Sequence, residues 1–445
     1  VAGTSGMVAG GTWNKMYKNY GFIAGGQSHY VYGVGGTIAG GHNCYSYGYF
    51  GTVGGGMYNT ARGTLSTAGG GMYNRAIGVY STVGGGYNNI AYAYGSSIGG
   101  GEYNRAYGSY STIAGGKQNC IYGAAATVAG GEWNTAFTDY AVIGGGSWNT
   151  ADDDSYSPSI GGGYNTKIID ADYATVIGGY NLNLGGEGTT IVGGGYAGAY
   201  GYWSTIGGGQ SSWVYAPITT VAGGHNHYAY SYAATIAGGM YNSVYGAWGA
   251  IGGGWYNRLY GSYGVIGGGS YNYNYGTMTT IGGGSSNWIY GVSYSTIAGG
   301  HNHYVYAYSG TVAGGMYCSV YSSYGAIGGG WYQHNHGSAS TMIGGHNLQL
   351  YAPYTVSAGG VSNYVYAYAG AIGGGTSNYV YSTYGTISGG HNHYVTGYSA
   401  TVGGGMYNTV YGSGGTVGSG NYQKNHYPYG TIQGGAWNWI YGYAA

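Results

Sequence analysis

The sequence predicts an all-β chain, a parallel β-solenoid (two-layer β-roll) of about 29 coils with a 15-residue repeat. Three observations predict it. An I-x-G-G unit, seen at Ile297 in Thr296–Gly310, recurs 29 times, and 25 of the 28 intervals are 15 residues. A fixed period of this kind marks a repeat architecture. Each period holds two short β-favouring runs separated by a Gly-Gly turn and a second corner of small residues,. Fifteen residues are too few for a βα repeat and enough for two strands and two turns. A meander of β-hairpins is the alternative.

With the aliphatic residue of I-x-G-G as coil position 1, the average coil reads T-I-[AG]-G-G-x-Y-N-x-[AV]-Y-G-x-x-[SG], its first Thr being position 15 of the coil before. Apolar residues at positions 1 and 9 (Val305, Val320, Ile289, Ala106) should face inward together. Side chains alternate along a strand, so positions 7, 11 and 14 should also point in, and Tyr at 10 and Thr at 15 out,. Position 7 is usually Asn. Asn59, Asn74, Asn89, Asn104, Asn119, Asn134 and Asn149 are expected to form a polar ladder between coils, as stacked amides do in cross-β assemblies,.

The period slips three times, with intervals of 17 (Ile143 to Ile160), 16 (Ile160 to Val176) and 16 (Ile281 to Ile297). This divides the chain into a first array over 1–150, irregular acidic coils over 151–190 in the same solenoid, and a more regular array over 191–445. All nine acidic residues lie between Glu102 and Glu187, and Asp152, Asp153, Asp154, Asp170 and Asp172 cluster around a bulged loop. Oxygen ligands of this kind suit calcium, against the plainer reading of a solvated bulge.

The repeat resembles the Gly-rich left-handed β-roll of YadA-like adhesin heads and related GGG-x-x-N-x-A-x-G arrays. Gly84-Gly85-Gly86 with Asn89 and Ala91, and Gly99-Gly100-Gly101 with Asn104, Ala106 and Gly108, carry the likeness. The chain departs from that family by its 15-residue coil and its Tyr columns, and it has no heptad stalk. The resemblance implies the fold and a surface or fibre role by analogy.

Composition narrows the function. Nine basic and nine acidic residues in 445 leave no basic footprint for nucleic acid,. No apolar run reaches about 18 residues, so no membrane-spanning helix is expected. The chain begins at Val1 without Met, which suits a processed product or a truncated record. Neither Val1, at position 9, nor Ala445, at position 14, lies beside a capping segment, so head-to-tail growth of the stack is expected,.

The 63 tyrosines are the strongest functional signal. Position 13 holds Tyr80, Tyr110, Tyr140, Tyr294, Tyr324, Tyr354 and Tyr384, alternating with Gly95, Ala125, Ser309, Ala339, Ala369 and Ser399. In several intervening coils the ring moves to position 12 (Tyr94, Tyr308, Tyr368, Tyr398). One reading is relief of crowding within a coil stack; the other is a toothed surface that takes rings from a neighbour. Tyr306, Tyr321, Tyr366 and Tyr381 at position 10 extend the same surface. Exposed aromatics in such rows exceed what a soluble monomer tolerates, so something should cover them.

His-Asn-His occurs at His225/His227, His301/His303 and His391/His393, always at positions 5 and 7, and the next coil carries Met at position 5. Each His pair should share one strand face. His301, His303, Met316 and Cys318 bring together imidazole, thioether and thiol groups that suit copper or zinc,. The plainer reading is that His, Cys and Gln replace Asn in the ladder. No Ser-His-Asp pattern stands out, and the glycines recur in nearly every coil, so no phosphate cradle and no enzyme is read here,.

The expectation is therefore a self-assembling extracellular or cell-surface structural protein, forming a filament, fibril or sheath whose partners are copies of itself. The alternative is a surface adhesin or carbohydrate-binding rod, because Tyr and Trp faces stack on sugars and glycans would then be the partner.

Overall fold

The computed structural model describes residues 4–442. The expectation about chain ends, which rests on Val1 and Ala445, lies outside the described residues. Every regular element among the described residues is a two-residue β-strand. Two compact units, residues 1–225 and 226–445, are each built as a β-solenoid on the 15-residue repeat, about 29 coils in all.

In the first unit Thr82–Val83 pairs in parallel with Thr67–Ala68 and with Ser97–Ile98, each 15 residues away. Ile90–Ala91 likewise pairs with Arg75–Ala76 and Arg105–Ala106 in the other sheet. The second unit repeats this scheme. Thr311–Val312 lies between Thr296–Ile297 and Ala326–Ile327, and Ser319–Val320 between Tyr304–Val305 and His334–Asn335. The parallel sense excludes a meander of hairpins. A third contact runs through position 5 as isolated bridges, such as His301 with Met316.

The core follows the predicted columns. Ile297, His303, Val305, Ala307 and Val312 are buried, whereas Tyr306 and Thr311 face out. Val and Ile from the two sheets meet across a thin interior, each contributing about 1.5–3 kcal/mol on burial. Residues 151–190 keep this register. Val142–Ile143 pairs with Ser159–Ile160 and Thr150–Ala151 with Lys167–Ile168, so the two extra residues of that 17-residue coil sit in the corner after position 10.

The corners are where the structure departs from the sequence reading. Positions 6 and 13 both adopt the left-handed conformation, and they do so with bulky residues: Tyr73 at φ 62°, Tyr110 at 57°, Trp248 at 58° and even Ile218 at 57°. Such residues disfavour that region by about 1 kcal/mol or more. What they gain is a reversed amide. Most backbone N–H groups donate to the following coil, but Tyr110 N–H donates to Tyr94 O (2.8 Å) and Tyr103 N–H to Tyr87 O (2.9 Å), both in the preceding coil. The coils are thereby bonded in both directions at each corner. The second corner, expected to consist of small residues, thus turns on an aromatic at position 13 in many coils.

Glycine is required at position 4. Gly86 has φ 89°, and a Cβ there would lie 2.1 Å from Gly101 O of the next coil. Its neighbour Gly85 has open space around it.

Candidate functional site

The polar ladder is present in the interior, but it does not run amide to amide. Asn74 Nδ2 donates to Gly70 O and Gly86 O, both at 2.7 Å, and Asn74 Oδ1 accepts the backbone N–H of Asn89 at 2.9 Å. Asn59, Asn89, Asn104, Asn119, Asn134 and Asn149 make the same three bonds. Each side chain ties its own coil to the backbone of the next. Stacked amides were the wrong picture because Asn points into a ring of glycine carbonyls rather than along its column.

The histidines at position 7 take Asn's place. His303 N–H donates to Asn287 Oδ1, and His303 Nδ1 accepts the Cys318 N–H, both at 3.1 Å. His393 Nδ1 accepts from Asn408 N–H at 3.1 Å, and His227 Nδ1 from Asn242 N–H at 3.3 Å. Nδ1 must be unprotonated to accept. Burial pushes the His303 imidazole down to about 4 and lowers His29 and His393 in the same direction,. Cys318 continues the column, with Sγ 3.7 Å from Gly330 O, and burial pushes its thiol up to about 11.

The position-5 histidines are elsewhere. The left-handed residue at position 6 breaks the alternation, so His301 is half-buried while His303 is fully buried, and the two do not share a face. His301 Nε2 pairs with Asn302 Nδ2 (3.1 Å), and its ring meets the edge of Tyr317 at 5.8 Å. His391 repeats this with Asn392 and Tyr407. The neighbouring Met316 is exposed. Among the described residues no three His, Cys, Asp or Glu side chains gather as metal ligands. The expected sets, including His225 with His227, are therefore divided between surface and core by the corner geometry. The acidic coils are likewise engaged with backbone. Asp172 Oδ1 accepts Tyr156 N–H and Asp139 Oδ1 accepts Ala124 N–H, both at 2.6 Å, and Asp152 Oδ1 accepts Asp153 N–H at 3.0 Å.

The outer face of the second sheet is aromatic. In the second unit the position-10 rings form an unbroken stack from Tyr230 to Tyr381, interrupted in type only by His336, with centroids 4.2–6.2 Å apart. Burial among these rings raises the phenols of Tyr366 and Tyr381 above their usual range. Tyr306, Tyr321, Tyr366 and Tyr381 keep outer surfaces exposed to solvent. The chain matches no known family model and no curated protein. The aromatic face must therefore be read on its own chemistry.

At the corner, Tyr80, Tyr110, Tyr140, Tyr294, Tyr324, Tyr354 and Tyr384 are all about half exposed or more, from 47% to 64%. The position-12 tyrosines fill most of the gaps between them. Tyr294–Tyr308–Tyr324 and Tyr354–Tyr368–Tyr384 form edge-to-face rows at 5.3–5.9 Å. Where the preceding coil has Gly at position 13, the ring leans over it: a Cβ on Gly95 would lie 3.0 Å from Tyr110, and one on Gly35 2.4 Å from Phe50. The alternation thus relieves crowding within one coil stack.

Open slots occur instead in column 8, which the sequence reading passed over. Ser243, Ser319 and Thr409 each follow a coil that carries a Tyr in this column, and all three are buried. Around Ser319 the missing ring leaves a hollow of about 310 Å³ between Tyr304 and His334, walled by Tyr317 and Tyr321. One sequence feature accompanies these places: each lies in a Met-Tyr coil that follows a His-Asn coil.

Proposed function

We propose that this chain is a structural protein that assembles with copies of itself through its aromatic faces, forming an extracellular filament, fibril or sheath. The observation that carries the reading is the unbroken run of stacked, outward-facing rings from Tyr230 to Tyr381 on a body with 4% charged residues. Covering an aromatic ring contributes on the order of 1.5–3 kcal/mol, so a row of them dominates association. Little charge opposes it. The resemblance to YadA-like heads supports a surface location by analogy.

The test is to change Tyr306, Tyr321, Tyr366 and Tyr381 of that stack together to Ser. The coil fold, read by circular dichroism and amide exchange, should persist, while polymers seen by electron microscopy shorten or disappear. Unchanged polymers would sink the reading. Labelling of intact source cells by antibodies to the purified protein tests the location.

A carbohydrate-binding rod is the second reading, favoured by the shallow aromatic hollow at Tyr304, Tyr306 and Tyr321. A glycan array separates the two.

A further inference from the structure

The column-8 slots recur with one composition. A Tyr comes first, a Ser or Thr one coil later (buried at Ser243, Ser319 and Thr409, half-buried at Thr60), and a basic residue or His one coil after that. The series are Tyr45–Thr60–Arg75, Tyr228–Ser243–Arg258, Tyr304–Ser319–His334 and Tyr394–Thr409–Lys424. The first three enclose hollows of about 500, 260 and 310 Å³. Each slot spans two coil spacings, about 9.6 Å, which leaves room for one flat ring. The rings that flank it lie parallel: Tyr317 on Tyr332 at 4.8 Å and 6°, and Tyr306 on Tyr321 at 5.3 Å and 4°. The cations already stack as rings do. Arg258 Cζ lies 5.8 Å over Tyr273 and Lys424 Nζ 4.8 Å over Trp439. A ring placed in the slot would therefore continue the column, with a tyrosine on one side and a cation on the other.

The zero net charge conceals a block pattern. Before Glu102 there are four basic residues and no acid; from Glu102 to Glu187 there are nine acids and three bases; after Glu187 only Arg258 and Lys424 are charged. No Asp or Glu side chain lies in residues 226–445 to pair those two cations. The acidic block, in turn, presents corner rings beside its carboxylates. Tyr140 follows Asp139, Tyr173 follows Asp172, and Tyr156 lies two residues after Asp154. These three rings form one edge-to-face row at 5.5 and 5.7 Å, and all are exposed.

We propose that the slots are sockets for a second copy of the chain: a corner tyrosine of its acidic segment enters column 8 between the tyrosine and the cation, and the adjacent carboxylate pairs with that cation. This rests on the self-assembly reading and adds the register to it. Copies side by side in register would set acidic block against acidic block, which is repulsive; a stagger sets the acidic block of one copy on the basic slots of the next.

Two sets of variants test it in the full chain. Ser243→Trp, Ser319→Trp and Thr409→Trp together fill the slots, with the three Ala replacements as control. The Trp variant should keep its amide-exchange protection and lose polymer growth at least tenfold, while the Ala variant grows as the parent does. In the second set, Arg258→Glu with Lys424→Glu, and Asp153→Lys with Asp154→Lys, should each slow growth alone and recover it when mixed. Slot-filled chains that polymerise like the parent, or a charge-swapped mixture no better than its components, would overturn the socket while leaving self-assembly standing. A parent that forms no polymers under any condition would overturn both. Normal polymers from the slot-filled variant with loss of glycan-array signal would also overturn the socket and assign the slots to sugars.

Discussion

Asn74 Oδ1 accepts the backbone N–H of Asn89 at 2.9 Å, so a side chain in one coil completes the backbone bonding of the next. The same amide holds Gly70 O and Gly86 O through its nitrogen. Replacing Asn89 with Ala would leave Gly85 O and the buried Asn104 N–H without this partner, while Gly101 O keeps the Tyr87 N–H. Each unsatisfied group costs about 1–3 kcal/mol. Amide exchange at Asn104 should accelerate strongly while coils far along the stack stay protected, because a repeat protein is stabilised by nearest neighbours. Unchanged protection at Asn104 would contradict the ladder.

Adjacent glycines should behave oppositely. Gly86→Ala places a Cβ 2.1 Å from Gly101 O at a left-handed position, whereas Gly85→Ala meets nothing. The first variant should melt at least several degrees lower or fail to fold. The second should be neutral or more stable by about 0.4–1 kcal/mol, through a less flexible unfolded chain. Thermal melts of the pair decide this.

Much of the fold was legible because it depends on period and alternation alone. The inward columns headed by Ile297, His303 and Val305 follow from counting residues along a strand. The corners were not legible, since Tyr110 and Ile218 occupy left-handed conformations that their own preferences oppose. Coil-to-coil hydrogen bonds such as Tyr110 N–H to Tyr94 O outweigh that local preference, and no local pattern reports them. The same corners separated His301 from His303, which strict alternation had placed on one face. The slots at Ser243 and Ser319 escaped notice because a missing ring is visible only against the stacked rings around it.

The buried histidines set an acid limit. His303 titrates near 4 in the folded chain against an ordinary value near 6.5, and His29 and His393 are shifted the same way,. Between those pH values the unfolded chain binds protons that the folded chain refuses, so stability falls as pH drops from about 6.5 towards 4 and is fully retained above 6.5. Denaturant melts across that window should show the decline. His303→Asn should flatten part of it, because Asn can accept the Cys318 N–H as His303 Nδ1 does, without titrating.

The ladder assignment of Cys318 and His303 also predicts indifference to chelators and slow thiol chemistry. Cys318 is fully buried, and its thiol is pushed up to about 11, so little thiolate exists at pH 8,. The folded protein should resist alkylation at Cys318 and react faster at Cys120, which is only partly buried. Unfolding in denaturant should equalise the two. Dialysis against a strong chelator should leave the melting temperature unchanged, because no three His, Cys, Asp or Glu side chains gather around His303 among the described residues and His301 lies outside the core. A fall of several degrees, reversed by adding copper or zinc, would show that the His and Met columns of successive coils hold metal after all.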